Sequence, residues 1–308
     1  MYTVNLARLA KEFSLEVLTP QVNAEQIEIT RWEVNRPALQ LAGYFAHFDS
    51  DRIQIIGKVE HTYLNTLDPD LRKDMLWQIF QYKVPCVVMC KGLEVFPEML
   101  EFANEFGVPV FRTGLRTSNF MAEVIWYLQQ ELAERTTLHG VLVDVYGEGL
   151  LIMGESGIGK SETALELLKR GHRLVADDAV IVKKVSHRAL IGYAPALLQD
   201  LLELRGIGII NVRELYGVGV IKREKVIDMV IQLETWNGEA EYDRLGLSDE
   251  YMDILGNKVL CKSVPIRPGR NLAMICESAA INHRQKKLSG RDAAQELQER
   301  LKNQKGRE

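Results

Sequence analysis

Gly154, Gly159, Lys160 and Ser161 stand in the string GESGIGKS with the spacing G-x-x-x-x-G-K-[ST]. These residue types at this spacing hold a polyphosphate. Glycines let successive backbone N–H groups turn inward, the lysine reaches the outer phosphates, and the serine hydroxyl can ligate magnesium. The apolar LLIM before the loop and ETALELLKR after it predict a strand and a helix. The positive end of that helix adds to the same anion site. The predicted nucleotide site is the whole loop: Gly154, Glu155, Ser156, Gly157, Ile158, Gly159, Lys160 and Ser161.

Beyond the loop, LVADDAV reads as an apolar strand ending in two carboxylates, Asp177 and Asp178. Magnesium-dependent phosphoryl transfer uses both: one acid for the metal or its water, one to take a proton from the attacking hydroxyl. A switch needs only the first, so the doublet favours a catalyst; the alternative is a solvated turn after a strand. In LLELRGIGIINVRELYG, Glu203 and Arg205 interrupt an apolar segment. Glu203 is either a second magnesium ligand or, with Arg205, part of an exposed strand face. Arg244 in EYDRLG and Arg267 and Arg270 in PIRPGR carry forks suited to phosphate, or to surface ion pairs. His139 precedes the first strand of this half, and a lone histidine is more often structural than catalytic. The chain lacks H-R-D-x-x-x-x-N and D-F-G, which sets aside the common protein-kinase fold.

Positioning these groups takes a strand–loop–helix unit within a larger α/β frame. With 308 residues the chain is long enough for two domains of roughly 100–200 residues each. Apolar segments at 38–45, 52–59, 85–90 and 108–113 alternate with helical patterns at 68–82 and 97–106, which predicts a mainly parallel sheet. Ser118 is the expected N-cap of a long amphipathic helix ending near Arg135, where the junction falls, so the domains span 1–130 and 131–308. HGVLVDVYGEGLLIMG predicts two strands around a turn at 146–149, the second running into the phosphate loop. Further segments lie at 174–182, 225–236 and 271–285, and the tail from 291 reads as a fraying amphipathic helix. Cys86 and Cys90, spaced to share a strand face, and Cys261 and Cys276 read as reduced buried thiols. A net charge of -4 and the absence of an apolar run of about 18 residues give no pull toward nucleic acid or membrane, so a cytoplasmic protein is expected.

Taken in order, THGVLVDVYGEGLLIMGESGIGKSETALELLKRGHRLVADDAV, LLELRGIGIINVRELYG, YDRLGL and VPIRPGRNLA resemble the HPr kinase/phosphorylase family, bacterial enzymes acting on the phosphocarrier HPr. RPALQLAGYFAHFDSDRIQIIGKVEHTYL is similar to the family's N-terminal domain, so the resemblance covers nearly the whole chain. It implies an N-terminal α/β domain and a C-terminal P-loop kinase domain akin to phosphoenolpyruvate carboxykinases. It implies His139, Lys160, Asp178 and Arg244 as catalytic positions, and Ser161 and Glu203 as magnesium ligands. It further implies ATP as substrate, phosphate and pyrophosphate in the reverse reaction, and a PIRPGR loop serving chiefly dephosphorylation. A homohexamer, sugar-phosphate control and a place in carbon catabolite repression follow from the same resemblance. On residues alone, a kinase of small molecules and a nucleotide-sensing switch stay open as rivals.

Overall fold

The computed structural model describes residues 2–236, 249–267, 269–290 and 296. Met1–Glu134 and Arg135–Glu308 form two separate compact units.

The first unit is built on a five-stranded sheet in the order Glu16–Val17, Val110–Arg112, Val87–Met89, Ile53–Ile56 and Val34–Asn35. The last four strands run parallel and Glu16–Val17 closes one edge antiparallel. Ile53–Ile56 and Val87–Met89 are buried along their whole length. Apart from Gln54, whose amide donates to the Arg52 carbonyl, these are the apolar runs that a parallel sheet covered on both faces selects. Leu6, Leu9, Phe120, Val124 and Leu128 pack on Ile53 and Ile55, while Leu76, Phe80, Met99 and Phe102 pack with Ile56. Cys86 and Cys90 flank the Val87–Met89 strand and join the first of these cores as free thiols. Burial pushes the Cys90 thiol up to about 11, so it behaves as a small hydrophobe. His61 stacks on Phe96 and Asp51 pairs with Arg31, and neither belongs to a reactive constellation.

Two expectations fail in this unit. Residues 38–45 form no strand but a 3₁₀ turn, Gln40–Ala42, closed by Gly43 at φ 85°. The segment is apolar without alternation, and a glycine in the left-handed region ends it. Ser118 does not cap the long helix, which runs Thr117–Glu131 from Arg116 without a side-chain cap. Thr117 is buried in the first turn, and the chain enters the helix two residues earlier than a Ser118 cap would place it.

The second unit has three layers. A six-stranded mixed sheet runs Arg173–Ala176, Val141–Val145, Glu148–Gly154, Met229–Thr235, Asn257–Ile266 and Glu250–Ile254. Alternation assigns its faces. Val141, Val143, Leu150, Ile152, Ile231 and Leu233 meet the helices Lys160–Lys169 and Leu272–Ser289. Leu142, Leu151 and Val230 meet Val180, Val182 and Leu190 of a four-stranded antiparallel sheet. That second sheet orders as Glu224–Val226, Ala189–Tyr193, Ala179–Ser186 and Arg135–His139. Segment 174–182 is thus two strands, one in each sheet, broken at Asp177–Asp178. The hairpin turn is shorter than expected, since Glu148 and Gly149 already belong to the strand. Residues 271–285 are helical, with Asn271 accepting from the Met274 N–H as N-cap. The tail helix from 291 lies outside the described residues apart from residue 296.

Gly140 is the single residue between a strand of one sheet and a strand of the other. A Cβ there would stand 2.7 Å from the Ile152 carbonyl oxygen, which is backbone and cannot swing away. Gly140→Ala is expected to cost about 1–3 kcal/mol through overpacking. The check is thermal denaturation of both proteins, and an unchanged melting temperature would count against the close approach.

Candidate active site

The strand Glu148–Gly154 ends in the phosphate loop, and the helix Lys160–Lys169 begins directly after it. Gly159, at φ 101°, is the N-cap and offers no side chain, so the first-turn N–H groups stay open to an anion. Thr163 Oγ1 donates to the Gly159 carbonyl at 2.7 Å and pins the loop to the helix. Ile158 packs against the hydrophobic core, so only its backbone can serve the site. Lys160 is 6% exposed, and its Nζ donates to the carbonyls of Gly154 and Glu155, each at 2.9 Å. Burial holds its ammonium below the usual lysine range, opposed by the nearby charges of Asp178 and Asp177.

The two aspartates divide at one turn. Asp178 has φ 65°, a left-handed conformation that Asp tolerates better than most residues. The Ala179 N–H reaches back to the Asp177 carbonyl at 2.8 Å, and the Gly140 N–H donates to the Asp178 carbonyl at 3.1 Å. This turn sends consecutive carboxylates to different places. Asp177 points inward and is 3% exposed. Its Oδ1 accepts from Ser161 Oγ and its Oδ2 from the Glu203 N–H, both at 2.9 Å. Burial pushes its carboxyl above the usual carboxylate range despite those bonds. Asp178 opens to solvent, with Oδ1 3.1 Å from His139 Nδ1. His139 is held there because it sits opposite Ala179 in the antiparallel register.

Glu203 and Arg205 complete the pocket from a two-stranded hairpin, Leu201–Leu204 with Gly208–Asn211. Arg205 Nη2 lies 3.4 Å from Ser156 Oγ. The guanidinium rests on Gly157, whose φ of +82° is what favours glycine there. His139, Ser156, Gly157, Gly159, Lys160, Ser161, Asp177, Asp178, Glu203 and Arg205 all line one pocket. Arg267 and Arg270 do not line it: Arg267 lies over the Trp236 ring at 3.2 Å and Arg270 donates to the Pro265 carbonyl at 3.0 Å. Arg244 lies outside the described residues.

A hydroxyl and carboxylates facing one pocket make an all-oxygen donor set, which suits magnesium. Among the described residues no three His, Cys, Asp or Glu side chains gather into a ready cage. Asp177 is the residue that spacing left undecided; its signal was the doublet, and the turn at Asp178 resolves it.

Comparison with known proteins gives the chain a family. The description "HPr Serine kinase C-terminal domain" matches residues 130–301, and "HPr Serine kinase N terminus" matches residues 4–128. The chain belongs to the HPr serine kinase family. An HPr kinase/phosphorylase of Lachnoclostridium phytofermentans is 58% identical over 98% of this chain and 98% of that protein. An HPr kinase/phosphorylase of Caldicellulosiruptor bescii is 52% identical over 100% of this chain and 98% of its own. A solved structure, the HPr(Ser) kinase/phosphatase from Coxiella burnetii, is 36% identical, covers 49% of this chain and 92% of that one, and gives a TM-score of 0.45. Membership of the family makes the chain a two-domain α/β enzyme that uses ATP. Among the described residues no helix is long and apolar enough to cross a membrane.

Proposed function

We propose that this protein phosphorylates a serine of the phosphocarrier HPr with ATP, and removes the phosphoryl group by phosphorolysis to give pyrophosphate. The observation that carries the reading is the opening of Asp178 onto the pocket that holds Lys160 and Ser161, with His139 at 3.1 Å behind it. A nucleotide switch needs no second acid there, whereas a hydroxyl acceptor needs a base.

In the forward direction Lys160 exchanges its loop carbonyls for phosphate oxygens of ATP. Asp178 takes the proton from the serine hydroxyl as its oxygen bonds to the γ-phosphorus and the bond to ADP breaks. His139 orients the Asp178 carboxylate, and Arg205 and Arg244 supply positive charge to the transferred group. Ser161 and Glu203 would hold magnesium, with Asp177 fixing the serine hydroxyl. Magnesium when bound neutralises developing charge on the phosphates. In reverse, an oxygen of inorganic phosphate forms the new P–O bond, the P–O bond to serine breaks, and Asp178 returns its proton to the serine oxygen. PIRPGR would serve this direction chiefly. A homohexamer under sugar-phosphate control, acting in the cytoplasm in carbon catabolite repression, completes the reading on the strength of the family resemblance.

The test follows the intact mass of HPr incubated with the protein, magnesium and ATP, and then with inorganic phosphate and no nucleotide. The expected result is gain of one phosphoryl group, then its loss as pyrophosphate appears. An unchanged HPr mass would transfer the reading to a small-molecule kinase or a nucleotide switch.

A further inference from the structure

A second cluster of charge lies at the other end of the six-stranded sheet from the phosphate loop. Asp144 stands opposite Gly149, and the loop leaves the same strand at Gly154. At about 3.4 Å per residue the two ends are roughly 17 Å apart. Leu142 faces the four-stranded sheet, and Asp144, two residues on, shares its face. Asp144 is buried, and its Oδ2 accepts from both Arg173 Nη2 at 2.9 Å and Lys222 Nζ at 2.8 Å. Lys225, on the four-stranded sheet, stands 3.8 Å from Oδ1 and donates to the Gly147 carbonyl instead. Among the described residues Oδ1 has no hydrogen-bond partner.

The charges do not balance. Burial works to raise the Asp144 carboxyl, but the cations around it, Lys222 foremost, hold it below the usual carboxylate range, so it is ionised. One anion then faces three cations. The acids beside Gly149 have cations of their own: Glu148 and Asp228 share Lys287, and Glu148 also meets His283. The excess sits at the surface, because the Arg173 and Lys222 side chains are 47% and 31% exposed while that of Asp144 is 2%. Held to one buried oxygen, the two head groups are fixed side by side before any ligand arrives. A guanidinium fork beside an ammonium suits a phosphate. A carboxylate would bring a single charge, whereas a phosphate monoester brings about −1.5 to −2 at neutral pH and matches the excess. The chain's net charge of -4 offers no wider basic field for a polyanion, so the ligand is small. The cluster also has a route to the chemistry. The strand Arg173–Ala176 runs from it directly into Asp177 and Asp178. The Lys222 N–H donates to the Leu174 carbonyl of that strand at 2.8 Å. An anion that draws on Arg173 and Lys222 therefore acts on the strand that carries both acids.

We propose that Arg173 and Lys222, held by Asp144, form a second phosphate site that takes a small phosphate-bearing molecule and adjusts turnover through the Arg173–Ala176 strand. Binding stands apart from the protein-kinase reading above; the effect on turnover rests on it. The test titrates the full-length protein by calorimetry with inorganic phosphate, a hexose monophosphate and the free hexose. Magnesium and a non-hydrolysable ATP analogue are kept saturating, so that the phosphate loop is already filled. A phosphate-bearing probe is expected to bind and the free hexose is not. Arg173→Gln and Lys222→Gln are each expected to weaken that binding about tenfold or more, the scale of a charge-assisted hydrogen bond, with affinity for the ATP analogue unchanged. Equal affinity for the two phosphates would identify free phosphate as the ligand, and tighter binding of the ester a sugar phosphate. Absence of binding of either phosphate to the parent overturns the proposal and needs no variant to fold. Parental affinity in the folded variants overturns it as well. A changed assembly state by light scattering would assign the cations to a second copy, with the same consequence. The bound probe is expected to change the rate of HPr phosphorylation by the parent about fivefold or more, and to leave the rates of the variants unmoved. An unmoved parent rate removes the adjustment. Failure of the parent to modify HPr at all would remove the kinase reading and leave the binding result to stand.

Discussion

Asp178→Asn is expected to slow both phosphorylation and phosphorolysis by about 10²–10⁴-fold, the usual value of a general base, while nucleotide binding stays intact. Asparagine is the informative substitution because it keeps the size and shape of the side chain while removing the charge and the proton affinity. It has the same shape, and it also tolerates the left-handed region, so the φ of 65° at this turn survives. The turn is what sends Asp177 inward, so Ser161 and the Glu203 N–H keep their partner. Alanine would confound loss of the base with loss of the turn. The measurement is single-turnover transfer in each direction, alongside nucleotide affinity and melting temperature. Near-parental turnover in either direction would remove Asp178 from the chemistry. Loss of only one direction would be equally damaging, since in this reading the same carboxylate takes the serine proton in one direction and returns it in the other.

What the sequence reveals and conceals here follows from the range over which each feature is specified. The phosphate loop is legible because its glycines, lysine and serine act within one turn of chain. The acid doublet is legible as a pair, but which acid turns inward depends on a backbone conformation that either aspartate can adopt. Glu203 and Arg205 stay undecided in sequence for a related reason. Their facing depends on hairpin register, and a slip of one residue would exchange Glu203 for Leu202 on the pocket side. Segment 174–182 looks like one strand because both halves are apolar, yet it passes between two sheets at Asp177–Asp178. The partner sheet that makes this necessary is assembled from segments far apart in the chain, Arg135–His139 against Ala179–Ser186. The failure at 38–45 has the opposite cause, apolar content without the alternation of a strand.

Lys160→Met is expected to weaken nucleotide binding and to lower transfer by about 10²–10³-fold, the scale for removing one donor aimed at developing charge. This separates it from Asp178→Asn, which touches rate alone. The stability expectation runs the other way. Burial holds the Lys160 ammonium below its ordinary pKa. A lysine lowered in the folded state costs stability while it is charged, and the cost is relieved as pH rises through the lowered value. Methionine keeps the stem without the charge, so the variant should melt no earlier than the parent at neutral pH. Arginine should not restore function. The ammonium meets the Gly154 and Glu155 carbonyls as a compact point donor, and a planar fork cannot occupy the same place. Calorimetric titration of ATP, thermal melting and single-turnover transfer together decide the matter. Parental affinity with parental rate would show that the lysine does not reach the phosphates. A sharply lowered melting temperature would show that its carbonyl bonds hold the loop in shape, making Lys160 first a tether. The expected pattern, lost affinity and rate in a protein that melts no lower, is that of a charge kept buried at a cost because the phosphate needs it there.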